Sequence, residues 1–383
     1  MPGARIPFQR ASLGAAERRA VERAVRQGAL AGDGAIGRRV SARLRELTGA
    51  RHVLLTPSAT SASDVTFAAL PVGPGEEVLM PSFAYPSQAA ALLARGARPV
   101  FCDVDEATLN LDPADARRKV TKRTRALLVV HYAGVAADLT GLTRLAREAG
   151  LWLLEDAAHA IGARWRGRHL GSFGDAGWLS FHQTKNVVCG EGGALLLRSP
   201  ALAARAEIVR QGGTNRAAFL RGEVSRYTWM GMGGSHLLSE VLAALLEVQL
   251  ARLERLTRAR RRIWELYHAG FAELEQAGSL RRPFVPPEAE HNAHLYFVRV
   301  ADARMRDPLL RRLARAGIEA SFHFQPLHAS RFARRELGLR RARLPRTERA
   351  VRTLVRLPLW AGMTRAQGET VVETTRRFLR SGR

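Results

Sequence analysis

The chain has 383 residues, 46% hydrophobic and 25% charged, a balance that supports a large core and excludes a mainly disordered chain. Its net charge of +25 is spread along the chain with no helix-turn-helix, zinc-finger or RNA-binding signature, so no specific nucleic-acid partner is expected. Two cysteines, Cys102 and Cys189, make neither a disulfide framework nor a metal site, and the lack of a secretory h-region or a run of about 20 apolar residues points to a cytoplasmic protein with no membrane partner.

Two amphipathic helices are predicted first, over 15–27 and 38–47; Val40, Leu44 and Leu47 share one face and Gly49 is the stop signal. Short apolar runs then alternate with helical stretches. The strands expected are His52–Thr56, Glu77–Met80, Pro99–Val104, Ala126–Val130, Leu151–Leu154, Gly177–Phe181 and Ala194–Leu197. Helices over 60–69, 85–95 and 138–149 separate several of them. This alternation predicts an α/β domain with a mostly parallel sheet, and strands apolar throughout should be covered on both faces. A long helix or helix pair follows over 238–275, then a strand at Leu295–Val300, a helix near 305–316, a strand near Ile318–Phe324 and helices near 347–355 and 365–379. This C-terminal part reads as a smaller α+β domain.

Of 60 basic residues only Lys119, Lys122 and Lys185 are lysines. Where arginine has replaced lysine almost everywhere, a surviving lysine marks chemistry that arginine cannot do, such as Schiff-base formation. Lys119 and Lys122 lie in the polar stretch ARRKVTKRTR and read as solvated. Lys185 lies in SFHQTKNVVCGEGG, between an apolar strand and a glycine turn.

The segment Gly32-Asp33-Gly34-Ala35-Ile36-Gly37 matches a dinucleotide fingerprint, but a helix rather than a strand precedes it. It reads as a glycine loop between helices, with a place beside an active site as the functional alternative. Four other segments converge better. Pro57–Ala62 follows a strand and opens a helix, a setting that favours an anion. Glu155-Asp156-Ala157-Ala158-His159 follows the strand Leu151–Leu154, where an acid either points into the crevice in which α/β folds bind ligands or caps the next helix. Ser180–Asn186 ends another strand, and Glu191-Gly192-Gly193 turns the chain back. Together they offer what pyridoxal phosphate needs: an anion cup, a carboxylate for the pyridine nitrogen, a lysine for the aldehyde, and Tyr85 as a flat cover for the ring.

On these segments the sequence resembles the sugar-nucleotide aminotransferases of the DegT/DnrJ/EryC1/StrS family over nearly its whole length. Within the family it is most similar to the dTDP-4-dehydro-6-deoxyglucose 4-aminotransferases. That finer match is carried by VVHYAGVA (129–136), SFHQTKNVVCGEGGA (180–194), GGTNRAAFLRGEVSRYTW (212–229), HNAHLYF (291–297), HFQPLH (323–328) and RLPLW (356–360). The resemblance implies aminotransferase fold type I, with a large pyridoxal-phosphate domain over 1–250 and a small α+β domain over 251–383. It implies transfer of an amino group from L-glutamate to the C4 ketone of a dTDP-4-keto-6-deoxyhexose, giving a dTDP-4-amino-4,6-dideoxyhexose of galacto configuration. Other nucleotide sugars, C3 amination and a non-catalytic regulator are the alternatives.

By position, Lys185 matches the Schiff-base lysine and Asp156 the partner of the pyridine nitrogen. Ala59, Thr60 and Ser180 match the phosphate cup, Tyr85 the stacking aromatic, and His159 a His or Gln near the ring hydroxyl. Lys185 excludes the branch of the family in which histidine replaces the lysine. Arg216 and Arg221, if not simply solvated loop charges, are candidates for the anionic sugar nucleotide, together with His323. The resemblance also implies a homodimer, with 212–237 reaching across. Where many relatives supply the partner's phosphate with an Asn, this chain has Leu237, which leaves Ser235 or Ser239 as substitutes.

Overall fold

A computed structural model describes residues 5–381. In chain order the helices are α1 (Ala15–Gln27), α2 (Ala35–Thr48), α3 (Ala59–Ala69), α4 (Ser87–Ala94), α5 (Pro113–Lys119), α6 (Leu139–Glu148), α7 (Pro200–Arg210), α8 (Arg216–Leu220), α9 (Glu240–Ala251), α10 (Leu253–Gly270), α11 (Ala272–Gln276), α12 (Arg306–Arg315), α13 (Arg331–Glu336), α14 (Pro345–Thr353) and α15 (Arg365–Ser381). The strands are β1 (His52–Thr56), β2 (Glu77–Pro81), β3 (Arg98–Cys102), β4 (Thr124–Val130), β5 (Trp152–Asp156), β6 (Arg164–Trp165), β7 (Arg168–His169), β8 (Ala176–Ser180), β9 (Gly193–Leu197), β10 (Leu280–Arg281), β11 (Ala289–Glu290), β12 (Tyr296–Val300) and β13 (Leu354–Leu357).

Seven strands form one sheet in the order β1-β9-β8-β5-β4-β2-β3. Only β9 runs against the rest, pairing antiparallel with both β1 and β8, while β8, β5, β4, β2 and β3 are mutually parallel. The apolar runs form these strands because both faces are covered. Leu54, Val78, Leu128 and Trp178 pack with α3, α4 and α7 on one side. Leu55, Leu179 and Leu196 pack with α1, α2 and α9 on another part of the sheet. A second sheet, β10-β12-β13, is antiparallel and has its own core of Tyr267, Phe271, Tyr296, Val355 and Val371. Ile6 joins that core: its N–H donates to the Gly317 carbonyl at 2.9 Å, and its carbonyl accepts from Glu319 at 3.0 Å.

Several sequence expectations need correction. The segment Ile318–Phe324 is not a strand; it makes single bridges, Ile318 with Ile6 and Ser321 with Arg356, and then turns into a cavity wall. The helix expected over 347–355 begins at Pro345, which suits the first helical position, and gives way to β13 at Leu354. The long helix or helix pair expected over 238–275 is three helices that break at Arg252 and Phe271; the Arg252 guanidinium pairs with the buried Glu17 of α1, and Phe271 is buried in the second core. Lys119 is not a freely solvated residue, since its amine binds Asp115 and the Phe101 carbonyl.

The glycine segment 32–37 has a structural explanation. The Glu240 carboxylate accepts from the N–H groups of Ile36 and Gly37, at 2.7 and 2.8 Å, at the start of α2. A β-carbon at Gly34 or Gly37 would collide with that side chain. Glu240 therefore caps α2 from another helix and favours its positive end. Glu240→Ala should cost at least about 2 kcal/mol, because two buried N–H groups lose their acceptor; chemical denaturation against wild type measures it.

Candidate active site

The parallel strands deliver their C-terminal ends to one side of the sheet, and a cavity of about 790 Å³ opens there. It is lined by Ala59, Thr60, Tyr85, Asp156, His159, Ser180, Lys185 and His323, among others. Every cofactor position predicted from the sequence therefore meets in one place. Arg216 and Arg221 do not line it. Arg221 is clamped by Glu207 and Glu223, with contacts from 2.7 to 3.1 Å.

The helix start expected to hold an anion presents backbone groups. Ser58 caps α3 by accepting from the Ser61 N–H at 3.0 Å, so the N–H groups at the helix start point outward. Gly193 pairs with both Thr56 and Ser180 across β9. A β-carbon there would strike the Ser58 carbonyl, so the glycine lets the α3 entry settle beside Ser180. Ser61 is itself hydrogen-bonded to His236 at 2.5 Å.

Asp156 ends β5. One carboxylate oxygen accepts from the Ala158 N–H at 2.9 Å and the other from the Gln88 amide of α4. Burial raises its pKa, while Lys185 works in the opposite direction. Its neighbour Glu155 faces the other way, holding His131 and the N–H groups of Gly171, Phe173 and Gly174 at 2.6–2.9 Å. Burial alone would raise the Glu155 carboxyl; the bonds from His131 and the backbone outweigh it and hold it below its ordinary value. That network fixes the strand end from which Asp156 projects. Lys185 follows β8 in a turn closed by its own N–H on the His182 carbonyl. Withdrawal from water pushes its amine down to about 8, against the attraction of Asp156.

Across the cavity His159 stacks on His294, with centroids 4.2 Å apart, and lies nearly parallel to His323 at 6.0 Å. Burial depresses all three imidazoles well below the usual histidine range, so they stand neutral near pH 7. His323 is tied to the Tyr132 hydroxyl at 2.7 Å, and His294 to Asn186 at 2.9 Å. Tyr85 stands exposed at the mouth. Sequence reasoning missed Gln88, Tyr132, His294 and Arg356 as members of the site, although three of them lie in segments it had singled out. Gln88 carries no motif at all; only its place on the first turn of α4 brings it to Asp156.

The residues fit pyridoxal phosphate. A buried carboxylate faces the cavity with Gln88 held against it, and the carbonyl oxygen of that Gln88 amide is buried without a partner. A helix start with free N–H groups and a buried lysine of lowered pKa complete the set. The sequence signature of the DegT/DnrJ/EryC1/StrS aminotransferase family matches residues 11–376. The chain belongs to that family. It is similar to the aminotransferase TlmJ from Streptoalloteichus hindustanus, at 34% identity and TM-score 0.91, covering 99% of this chain and 100% of that one. It is also similar to DesV of S. venezuelae, at 31% identity and TM-score 0.87, covering 98% of both chains. A third likeness, at 24% identity and TM-score 0.90 and covering 98% of this chain and 99% of that one, is to the putative sugar aminotransferase Spr1654 from Streptococcus pneumoniae in its PLP form, and it bears on the fold alone. The protein is thus a pyridoxal-phosphate-dependent sugar aminotransferase of fold type I. No helix among the described residues is long and apolar enough to cross a membrane.

Proposed function

We propose that this aminotransferase moves the amino group of L-glutamate to the C4 ketone of a dTDP-4-keto-6-deoxyhexose, giving the dTDP-4-amino-4,6-dideoxyhexose of galacto configuration. One observation carries the choice of sugar. Four of the segments most similar to dTDP-4-dehydro-6-deoxyglucose 4-aminotransferases lie far apart in sequence, yet three of them bring His294, His323 and Arg356 to the cavity lining and the fourth places Tyr132 behind His323, hydrogen-bonded to it at 2.7 Å.

Pyridoxal phosphate, when bound, supplies an aldehyde for the amino group and a ring that accepts the electrons of the breaking bond. The α3 N–H groups at Ala59 and Thr60, with Ser180, would hold its phosphate. Asp156, its carboxylate fixed by the Ala158 N–H, would keep a proton on the ring nitrogen. Tyr85 would cover the ring and His159 would stand near its hydroxyl. The Lys185 amine, neutral more readily because of burial, takes the proton from the donor's α-carbon and returns one to the sugar's C4. Neutral His159, His294 and His323 orient the substrate by hydrogen bonds without adding charge.

We assign residues 1–250 to the large domain and 251–383 to the small one, with Ile6 reaching into the core of the small one. A homodimer is supported by the exposed apolar side chains Phe219, Leu220, Tyr227, Trp229, Met230 and Met232 on the segment expected to reach across. The Leu237 position is then served by Ser235 of the partner, since Ser239 is occupied in capping α9. Both cysteines are free, which suits the cytoplasm.

The test is incubation of the purified enzyme with L-glutamate and a panel of nucleotide ketosugars, with products identified by mass and C4 configuration by NMR. The highest kcat/KM is expected for dTDP-4-keto-6-deoxyglucose with a galacto product. A higher value for another nucleotide or for a 3-ketosugar would overturn the sugar assignment.

A further inference from the structure

We infer that Gln88 is a positioning residue of the known reaction: its side-chain amide holds the Asp156 carboxylate aimed and ionised for the cofactor's ring nitrogen. The inference rests on the reading of Asp156 given above. Gln88 stands on the first turn of α4, a helix that follows Pro86 and packs on the main sheet through Ala89, Ala91 and Leu92. It is 3% exposed and lines the cavity on the same segment as Tyr85.

The Gln88 amide donates to one oxygen of Asp156, and the Ala158 N–H donates to the other at 2.9 Å. The two bonds do different work. Ala158 lies two residues along the same chain, so its bond belongs to the local turn. Gln88 arrives from 68 positions away, on another element. Donors from two elements, one on each oxygen, fix the plane of the carboxylate, which a single local bond leaves free to rotate. Each oxygen keeps a further lone pair for the ring.

The carbonyl oxygen of the same amide is buried with no partner among the described residues. A glutamine kept for structure would use both ends, because a buried polar atom left unpaired destabilises the fold. Methionine would fill the same space without that cost. Turned over, the amide would set its oxygen against the carboxylate, acceptor against acceptor. Gln88 therefore serves as a donor alone, and a donor on a carboxylate favours its charged form. Burial pushes the Asp156 carboxyl up; the Ala158 N–H, then Lys185 from the turn after β8 and His131 at the end of β4, work against it. Glu155, on β5 itself, is engaged with His131 and backbone N–H groups. The Gln88 amide joins the opposing side and makes the carboxylate less basic, so the proton between acid and ring rests on the ring.

The test uses Gln88→Met and Gln88→Asn, the second keeping an amide one carbon short of Asp156. With 15N in the ring of bound pyridoxal phosphate, the wild-type resonance should be that of a protonated ring, and both variants should move it toward the unprotonated position. In cofactor-free protein carrying 13C-labelled aspartate, the carboxyl resonance that disappears in Asp156→Asn should titrate at higher pH in both variants, because loss of a donor favours the neutral acid. The kcat should fall about 10-fold, the lower end of the worth of a hydrogen bond to a charged group, with KM for both substrates within about twofold. Added to Asp156→Asn, Gln88→Met should cost less than about twofold, since no carboxylate is left to hold; a packing role would cost the same in both backgrounds. Gln88→Asn carries the test if Gln88→Met loses its melting transition. Unmoved resonances, or an equal loss in the Asp156→Asn background, would overturn the inference. Near-normal turnover in Asp156→Asn would remove the reading of Asp156 itself, whereas a disabled Asp156→Asn beside an unaffected Gln88→Met overturns the role of Gln88 alone.

Discussion

Lys185→Ala should abolish covalent attachment of the cofactor. Borohydride reduction of wild-type enzyme will fix pyridoxal phosphate to the chain, and the variant will release it on denaturation. Turnover should fall by about 10²–10⁴-fold from the loss of the proton carrier alone, and further from the lost attachment. The proposed phosphate contacts come from α3 and Ser180 rather than from the lysine, so the variant should still bind cofactor non-covalently. Lys119→Arg and Lys122→Arg are the controls. Lys119 serves Asp115 and a carbonyl on the edge strand β3, and Lys122 lies on the exposed turn after α5, so neither change should alter the absorption band. A borohydride-trapped adduct in Lys185→Ala would show that another amine does this work.

Asp156→Asn should separate activity from stability. An amide cannot hold the proton on the ring nitrogen, so turnover should drop by at least about 10²–10³-fold, the loss typical of one preorganised electrostatic group. Cofactor-free stability should move the other way or not at all. Burial raises the Asp156 pKa above its unfolded value, so near pH 7 the folded state carries a carboxylate that burial disfavours. Asn removes that charge. Its Oδ1 can still accept from Ala158, and its amide can donate to the Gln88 carbonyl oxygen, which has no partner in the native arrangement. Thermal melts of the cofactor-free proteins and steady-state kinetics of the loaded ones measure the two effects. Near-normal turnover would mean that another acid faces the ring.

The seven strands of the main sheet were legible because each is an apolar run covered on both sides, and burial on two faces leaves no polar alternation to confuse the reading. Lys185 stood out because it is one of three lysines and sits just past a strand's end, whereas the choice of Asp156 over Glu155, and of Ser180, came from the resemblance to the family. Helices α5 and α7 were passed over although each opens with a proline at its first turn, Asp112-Pro113 and Ser199-Pro200. Ile318–Phe324 misled because apolar and aromatic residues suit a strand as well as they suit a cavity wall; only the tertiary partners, Ile6 and Arg356, distinguish the two. Gln88 and Arg356 were invisible for a related reason. Neither sits in a local pattern tied to its role, and each gains its meaning from a residue 68 positions away or from a cavity assembled by distant loops.

The pairing of Ile6 with the strand-like turn at Gly317–Glu319 sets a timetable for synthesis. Phe8 donates to the Glu319 carboxylate across 311 positions of sequence, and Ile6 shares its core with Val371 and Leu379. On a ribosome adding about 5–20 residues per second, those first residues wait roughly 15–60 s for their partners to emerge. They therefore cannot belong to the nucleus that starts folding. The seven-stranded sheet, complete by Leu197, can form on the nascent chain, whereas the second core closes only once α15 has emerged. Until then the Phe8 face of the cavity, and with it the stacking partner of Arg356, is missing, so catalytic competence comes later than the sheet that carries it.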